Sequence, residues 1–293
     1  MTKTAWVFPG QGSQEVGMTA DFLNSPVAKE RFETAEKILG WSVVELCESD
    51  EEKLSNTLYT QPCLYVVETI LVDALREKGQ EPDLVAGHSL GEYVALYAAG
   101  VIDFESGLRL VKCRAELMSE AAGGQMAALM GFDRFQLENK IQETADVVLA
   151  NDNSVAQVVI SGTPEAVDEV ISNIKTKRAV KLKVSGAFHS HLMAPAAADF
   201  AKVLDGVNFA EAKVPVLSNT DPTPATDAAT LKERLNRQMT GSVRWREIML
   251  NLPELGIEKV VEIGPGKVLT GLIKRTCPDI KLENINNLAQ IGG

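Results

Sequence analysis

Residues 82–100 read PDLVAGHSLGEYVALYAAG. A short apolar run leads into a tight turn, Gly87-His88-Ser89-Leu90-Gly91, and an apolar helical stretch follows, ending at a glycine. Short apolar strands set between helices imply a parallel sheet covered on both faces. The turn has the G-x-S-x-G form of a nucleophile elbow, in the strand–turn–helix context that such a motif requires. Glycines at both flanks let the backbone turn sharply and leave Ser89 projecting from the sheet edge. The helix that starts there offers free N–H groups and a positive dipole end to any oxyanion formed beside the serine. The competing reading is a Gly/Ser-rich turn without chemistry.

Upstream, TAWVF (4–8) reads as a strand and PGQGSQ (9–14) as a turn opening towards a helix. LYVVETILVDALREKG (64–79) places Val67, Ile70, Leu71 and Leu75 on one helical stripe. Residues 125–191 change character. MAALMGF is a strand, RFQLENKIQET a helix, and ADVVLANDNSVAQVVISG two strands around an Asn/Asp/Ser turn. TPEAVDEVISNIKTK then reads as a helix with a Thr-Pro start, and AVKLKV as an alternating strand. That order, βαββαβ, is the ferredoxin-like unit. After residue 192 helices resume, with VPVLSN and KVVEIG as further strands. The expected architecture is a doubly wound α/β core with a parallel sheet, residues 1–124 and 192–293, into which a small ferredoxin-like subdomain, residues 125–191, is inserted. The closing Gly292-Gly293 pair reads as a frayed end.

The chain has 293 residues, enough for one large domain with a smaller one attached. It has no apolar run near the ~20 residues that span a bilayer. MTKTAWVFPG lacks the regions of a signal peptide, so a soluble cytoplasmic protein with no membrane partner is expected. The four cysteines (Cys47, Cys63, Cys113, Cys277) are spread out with no CxxC pair, which suits reduced core thiols rather than a disulfide framework or zinc site. A net charge of −11 argues against nucleic acid as a partner.

A serine hydroxyl needs a base. There are three histidines, and His88 sits beside Ser89, where an elbow would point it elsewhere, into packing. His189 and His191 remain, in VSGAFHSHLM (184–193), at the seam where the inserted unit would rejoin the core, a natural place for a cleft. The alternative for either is a satisfied polar residue at that seam. A zinc site would want a third ligand nearby, and no other His or clustered Cys is close in sequence. GPGKVLTG (264–271) is not a P-loop, because Val268 stands where Ser or Thr should follow Lys267, and PGQGS lacks the third glycine of a dinucleotide fingerprint.

FPGQGSQ, GHSLGEYVAL, RAELM, AFHSHLM and EIGPGKVLTGLIKR occur in that order along the chain. The set resembles the acyltransferase family of malonyl-CoA:acyl carrier protein transacylases, which is also that of the acyltransferase domains of polyketide and animal fatty-acid synthases. The resemblance covers nearly the whole chain and implies a hydrolase-like α/β core with a ferredoxin-like insertion. It implies malonyl transfer from malonyl-CoA to the phosphopantetheine thiol of acyl carrier protein, with no metal or redox cofactor. A monomer is expected, though the sequence itself does not fix the oligomeric state. Carried over, Ser89 corresponds to the acylated nucleophile and His189 to the general base. Gln11 and Leu90 correspond to the residues whose backbone N–H groups form the oxyanion hole. Arg114 matches the arginine that pairs with the malonyl carboxylate, and Gln238 sits where a main-chain carbonyl orients the histidine. RQMTGSVRW (237–245) departs from the commoner Asn-Pro version of that stretch. Phe188, in AFH, resembles the aromatic residue that favours malonyl over methylmalonyl groups.

Residue type alone makes Arg114 one member of a solvated basic helix stretch, LRLVKCRAELM. The basic residues of KTKRAVKLK (Lys175, Lys177, Arg178, Lys181, Lys183) read first as a solvated face and second as a docking surface for an acidic carrier protein or CoA phosphates. A hydrolase with the same elbow and a non-catalytic binding module are the rival functional classes, and a hydrolase of neutral acyl chains has no use for a buried cation at position 114.

Overall fold

The computed structural model describes residues 2–184 and 186–291. Its strands are β1 (Thr4–Phe8), β2 (Leu84–Gly87), β3 (Gln125–Phe132), β4 (Val147–Ser154), β5 (Gln157–Gly162), β6 (Thr176–Lys181), β7 (Val216–Leu217), β8 (Lys259–Ile263) and β9 (Lys281–Ile285). Five of them form a parallel sheet in the order β7-β2-β1-β8-β9. The other four form an antiparallel sheet in the order β4-β5-β3-β6.

The parallel sheet is apolar on both faces. Along β1, Trp6 and Phe8 pack into one core, with Leu64, Val67 and Leu71 of the helix Thr57–Glu77. Ala5 and Val7 point the other way, into a second core with Trp245, Ile248 and Leu269. Helices on both faces make the architecture doubly wound, and buried strands of this kind read as continuous apolar runs. Among the described residues no helix is long and apolar enough to cross a membrane. The expectation for Gly292-Gly293 lies outside the described residues.

The small sheet has the βαββαβ order, with helices Arg134–Glu143 and Pro164–Asn173 between its strands. Leu137 and Val167 from those helices pack against Leu129 and Ile160 of the sheet. Its edge strand β4 docks on the loop that leads into the helix Trp245–Glu254. The Asp152 N–H donates to Val243 O at 2.9 Å, and the Val243 N–H donates to Ala150 O at 2.8 Å. Asp152 also pairs with Arg134 at 2.6 Å and with Arg246 at 2.9 Å. At the opposite edge, β6 is mostly exposed, and Lys181 pairs with Asp168. The four cysteines are free, and the Cys63 thiol lies against Cys47 although the two are far apart in sequence.

Backbone crowding explains the glycines of the serine turn. A Cβ on Gly87 would sit 1.9 Å from the Gly91 carbonyl, and one on Gly91 would sit 2.1 Å from Phe8 O. Backbone on both sides cannot give way. Gly91→Ala is therefore expected to lose about 3 kcal/mol of stability or more, read as a lower urea midpoint; an unchanged midpoint would contradict this packing.

Candidate active site

Ser89 sits between β2 and the helix Gly91–Ala98 with φ of 52°, in the left-handed region that non-glycine residues rarely adopt. Such a conformation costs on the order of 1–3 kcal/mol and persists only where the surroundings enforce it. Here the Ser89 N–H donates to Asn219 Oδ1 at 2.8 Å, and Ser89 O accepts from Gln238 Nε2 at 2.8 Å.

The Ser89 hydroxyl lies 2.8 Å from His189 Nε2, across 100 residues of sequence. The other ring nitrogen, Nδ1, faces two carbonyl oxygens, Gln238 O at 2.9 Å and Gly241 O at 3.2 Å. Carbonyls only accept, so the proton is assigned to Nδ1, and Nε2 is free to accept from Ser89. His189 is buried and also has a positive φ, 58°. Burial and then the charge of Arg114 pull its pKa down to about 3, so the ring is neutral.

Arg114 projects from the helix Phe104–Glu120 and is 1% exposed. Its Nη1 donates to Gln61 Oε1 at 2.7 Å, and its Nη2 donates to Ser89 Oγ at 2.9 Å and to Gln238 Oε1 at 3.1 Å. The guanidinium lies 5.4 Å from the centre of the Tyr93 ring. The reading of Arg114 as a solvated cation is thus wrong in its geometry. Helical position gave no hint, because burial here comes from the helix Thr57–Glu77 and from Gln238, both distant in sequence. Its Nε has no hydrogen-bond partner among the described residues.

The Gln11 loop packs directly on the serine turn. A Cβ on Gly10 would lie 2.5 Å from His88 O and 3.6 Å from Leu90 N. Among the described residues, neither the Gln11 nor the Leu90 N–H donates a hydrogen bond to the protein. The Gln11 side chain donates to Thr57 Oγ1 at 3.0 Å, which ties the loop to the first turn of the long helix. Phe188 is buried, with its ring against Gly186.

The remaining histidines point away. His88 Nε2 lies 2.8 Å from Asn153 Oδ1 of the small sheet, and its ring packs edge-on to Trp245. His191 is exposed and lies 3.1 Å from Asp146. Gln61, Asn219 and Glu92 were missed in the sequence. Asn219 follows β7, at the carboxyl end of a parallel strand, where open α/β sheets place ligand contacts. Glu92 was visible as a lone carboxylate inside an apolar helix. Gln61 carried no signal.

A groove of about 630 Å³ is lined by Glu51, Glu52, Ser55, Asn56 and Lys183. A smaller cavity of about 330 Å³, sharing Ser55, Asn56 and Lys183, reaches Thr57, which holds Gln11.

Comparison with known proteins places this geometry. The acyl transferase domain family matches residues 5–292. The malonyl CoA-acyl carrier protein transacylase of Synechocystis sp. (strain PCC 6803) is 61% identical over 286 residues, with 98% of each chain covered. The crystal structure of a Synechocystis sp. PCC 6803 malonyl-CoA:ACP transacylase superimposes with a TM-score of 0.97 at 60% identity, with 99% of each chain covered. A malonyl-transacylase solved with its type II PKS acyl-carrier protein gives a TM-score of 0.94 at 39% identity, with 99% of this chain and 98% of that one covered. Sequence and structure agree from end to end: the chain belongs to the acyl transferase domain family.

Proposed function

We propose that the chain moves a malonyl group from malonyl-CoA to the phosphopantetheine thiol of an acyl carrier protein, as a step of fatty-acid synthesis, through an acylated Ser89. The observation that carries this reading is that one hydroxyl, Ser89 Oγ, is met at 2.8 Å by a neutral imidazole and at 2.9 Å by a buried guanidinium. The names of the relatives supply the substrate pair.

The Ser89 proton passes to His189 Nε2 as Oγ attacks the thioester carbonyl carbon. The Gln11 and Leu90 N–H groups receive the oxyanion. Collapse breaks the C–S bond, and the CoA sulfur leaves with the proton from His189. The carrier protein's thiol then attacks the seryl ester and the same steps run in reverse, leaving Ser89 and His189 as they began. The Gln238 carbonyl fixes the ring and its tautomer, though it stabilises the imidazolium less than a carboxylate would. Arg114 holds the malonyl carboxylate, and Phe188 crowds a methyl branch. The phosphopantetheine arm would enter along the grooves by Lys183, whose smaller cavity reaches Thr57, the residue that holds the Gln11 side chain, with the basic strand β6 offered to an acidic carrier protein. No metal or redox group is needed for any step.

With malonyl-CoA and carrier protein bearing a free phosphopantetheine thiol, malonyl-carrier protein should accumulate with little free malonate. Malonate release that is equally fast with and without the carrier protein would identify a hydrolase instead.

A pH profile tests the state of the base. A lowered histidine pKa keeps the ring unprotonated as the pH falls, so kcat/KM should stay flat from about pH 8 to about pH 5. An acid limb centred near the ordinary histidine value of 6.5 would contradict the buried, arginine-facing environment of His189.

A further inference from the structure

We propose that Glu92 is a positioning residue of the serine turn, clasping the Ser89 backbone from both sides through Asn219 and Gln238 and setting a negative charge opposite Arg114. The inference rests on the reading of Ser89 as the nucleophile.

Glu92 is three residues beyond Ser89, in the first turn of the following helix, and 1% exposed. Its Oε2 accepts from the Asn219 N–H at 3.2 Å and from Gln238 Nε2 at 2.7 Å. Those two residues grip the nucleophile's own peptide groups. Asn219 Oδ1 takes the Ser89 N–H while its Nδ2 donates to Gly87 O at 2.6 Å. Gln238 Nε2 gives its other proton to Ser89 O. Asn219 and Gln238 are both fully buried, so without the Glu92 acceptor each would keep an orphaned N–H away from water. One carboxylate oxygen therefore ties together the two contacts that hold Ser89 in its left-handed conformation.

The charge matters as much as the geometry. Arg114 is buried without a carboxylate in ion-pair contact among the described residues, and the Gln238 amide bridges it to Glu92, accepting from Arg114 Nη2 at 3.1 Å and donating to Glu92 Oε2 at 2.7 Å. Burial pushes the Glu92 carboxyl up, and the hydrogen bonds from Gln238 and Asn219, with the charge of Arg114, oppose that and favour its charged form. Arg114 in turn depresses the basicity of His189. Removing the charge of Glu92 leaves that field unopposed, which weakens the base and disfavours the imidazolium formed in the transition state. The same change leaves Arg114 at least as available to a substrate carboxylate. The expected signature is a loss in kcat without a rise in KM.

A neutral fluorophosphonate reads the turn without using Arg114 for binding: the Oγ–P bond forms as P–F breaks, and the hydroxyl proton passes to His189. Glu92→Gln keeps the shape and an acceptor oxygen but removes the charge. In it, labelling of Ser89 should slow by ~10- to 100-fold, and kcat with malonyl-CoA should fall with it while KM stays within about twofold. Glu92→Asp, which keeps the charge and shortens the reach, should recover part of the rate. Wild-type labelling and kcat in both variants, or a loss confined to KM, would overturn the proposal. If Glu92→Gln does not fold, Glu92→Asp decides: slowed labelling at unchanged KM supports the role, and wild-type labelling rejects it. Labelling of the unaltered protein that persists in Ser89→Ala would instead sink the assignment of Ser89, and this inference with it.

Discussion

Ser89→Ala is expected to lower malonyl transfer by at least about 10⁴-fold, the scale on which a nucleophile acting as one unit with its base matters. The fold should survive, since the lost Oγ makes contacts only within the site, to His189 and Arg114, while the backbone clasp by Asn219 and Gln238 is untouched. Circular dichroism and the urea midpoint check that point; thiol release from malonyl-CoA checks the rate. His189→Ala should cost about 10²- to 10⁴-fold, the usual worth of a positioned base. It should cost less than Ser89→Ala because the nucleophilic hydroxyl itself remains, still held by Arg114 Nη2. Equal activity in Ser89→Ala and the parent would remove the covalent mechanism.

Arg114→Ala should separate substrates. Two charge-assisted bonds to a carboxylate, each worth roughly 1.5–3 kcal/mol, imply a loss of about 10²- to 10⁴-fold with malonyl-CoA. Acetyl-CoA has nothing for the guanidinium to hold and should change by no more than about fivefold on the same bookkeeping. A second effect runs through His189. Arg114 lowers the basicity of the ring, and a bound carboxylate offsets that charge, so the base should strengthen when the substrate carries an acid group. Arg114→Lys should recover only part of the malonyl rate, because a point charge cannot reproduce the two-pronged fork. Parallel losses with both thioesters would mean that Arg114 serves the structure and not selectivity.

How much of this could be read beforehand varies from residue to residue. The elbow was legible because its glycines answer a local demand, with backbone closing to 1.9–2.1 Å on the Cβ positions of Gly87 and Gly91. The small sheet was legible from its strand and helix periods, which depend only on neighbours in sequence. Its docking on Val243 was not, since a single bridge between distant segments leaves no pattern. His189 could be narrowed from composition to one of two histidines, and only the motif resemblance separated it from His191. Arg114 read as surface by residue type, because what buries it comes from elsewhere in the chain. Gln238 acts on His189 through its carbonyl, a group every residue carries, and so had no signature beyond its place in a motif. Asn219 and Glu92 escaped because their role is to hold other residues. A polar residue at the end of an apolar strand, or in an apolar helix beside an elbow, is the sign to look for.

The account stands or falls on Ser89 becoming a malonyl ester in a site that selects for the carboxylate. Intact-mass analysis after brief mixing with malonyl-CoA or acetyl-CoA in separate reactions, followed by peptide mapping, measures this directly. The predicted result is a single malonyl addition on the peptide containing Ser89, with far less addition from acetyl-CoA. No addition, addition at another residue, or equal addition from both thioesters would contradict it.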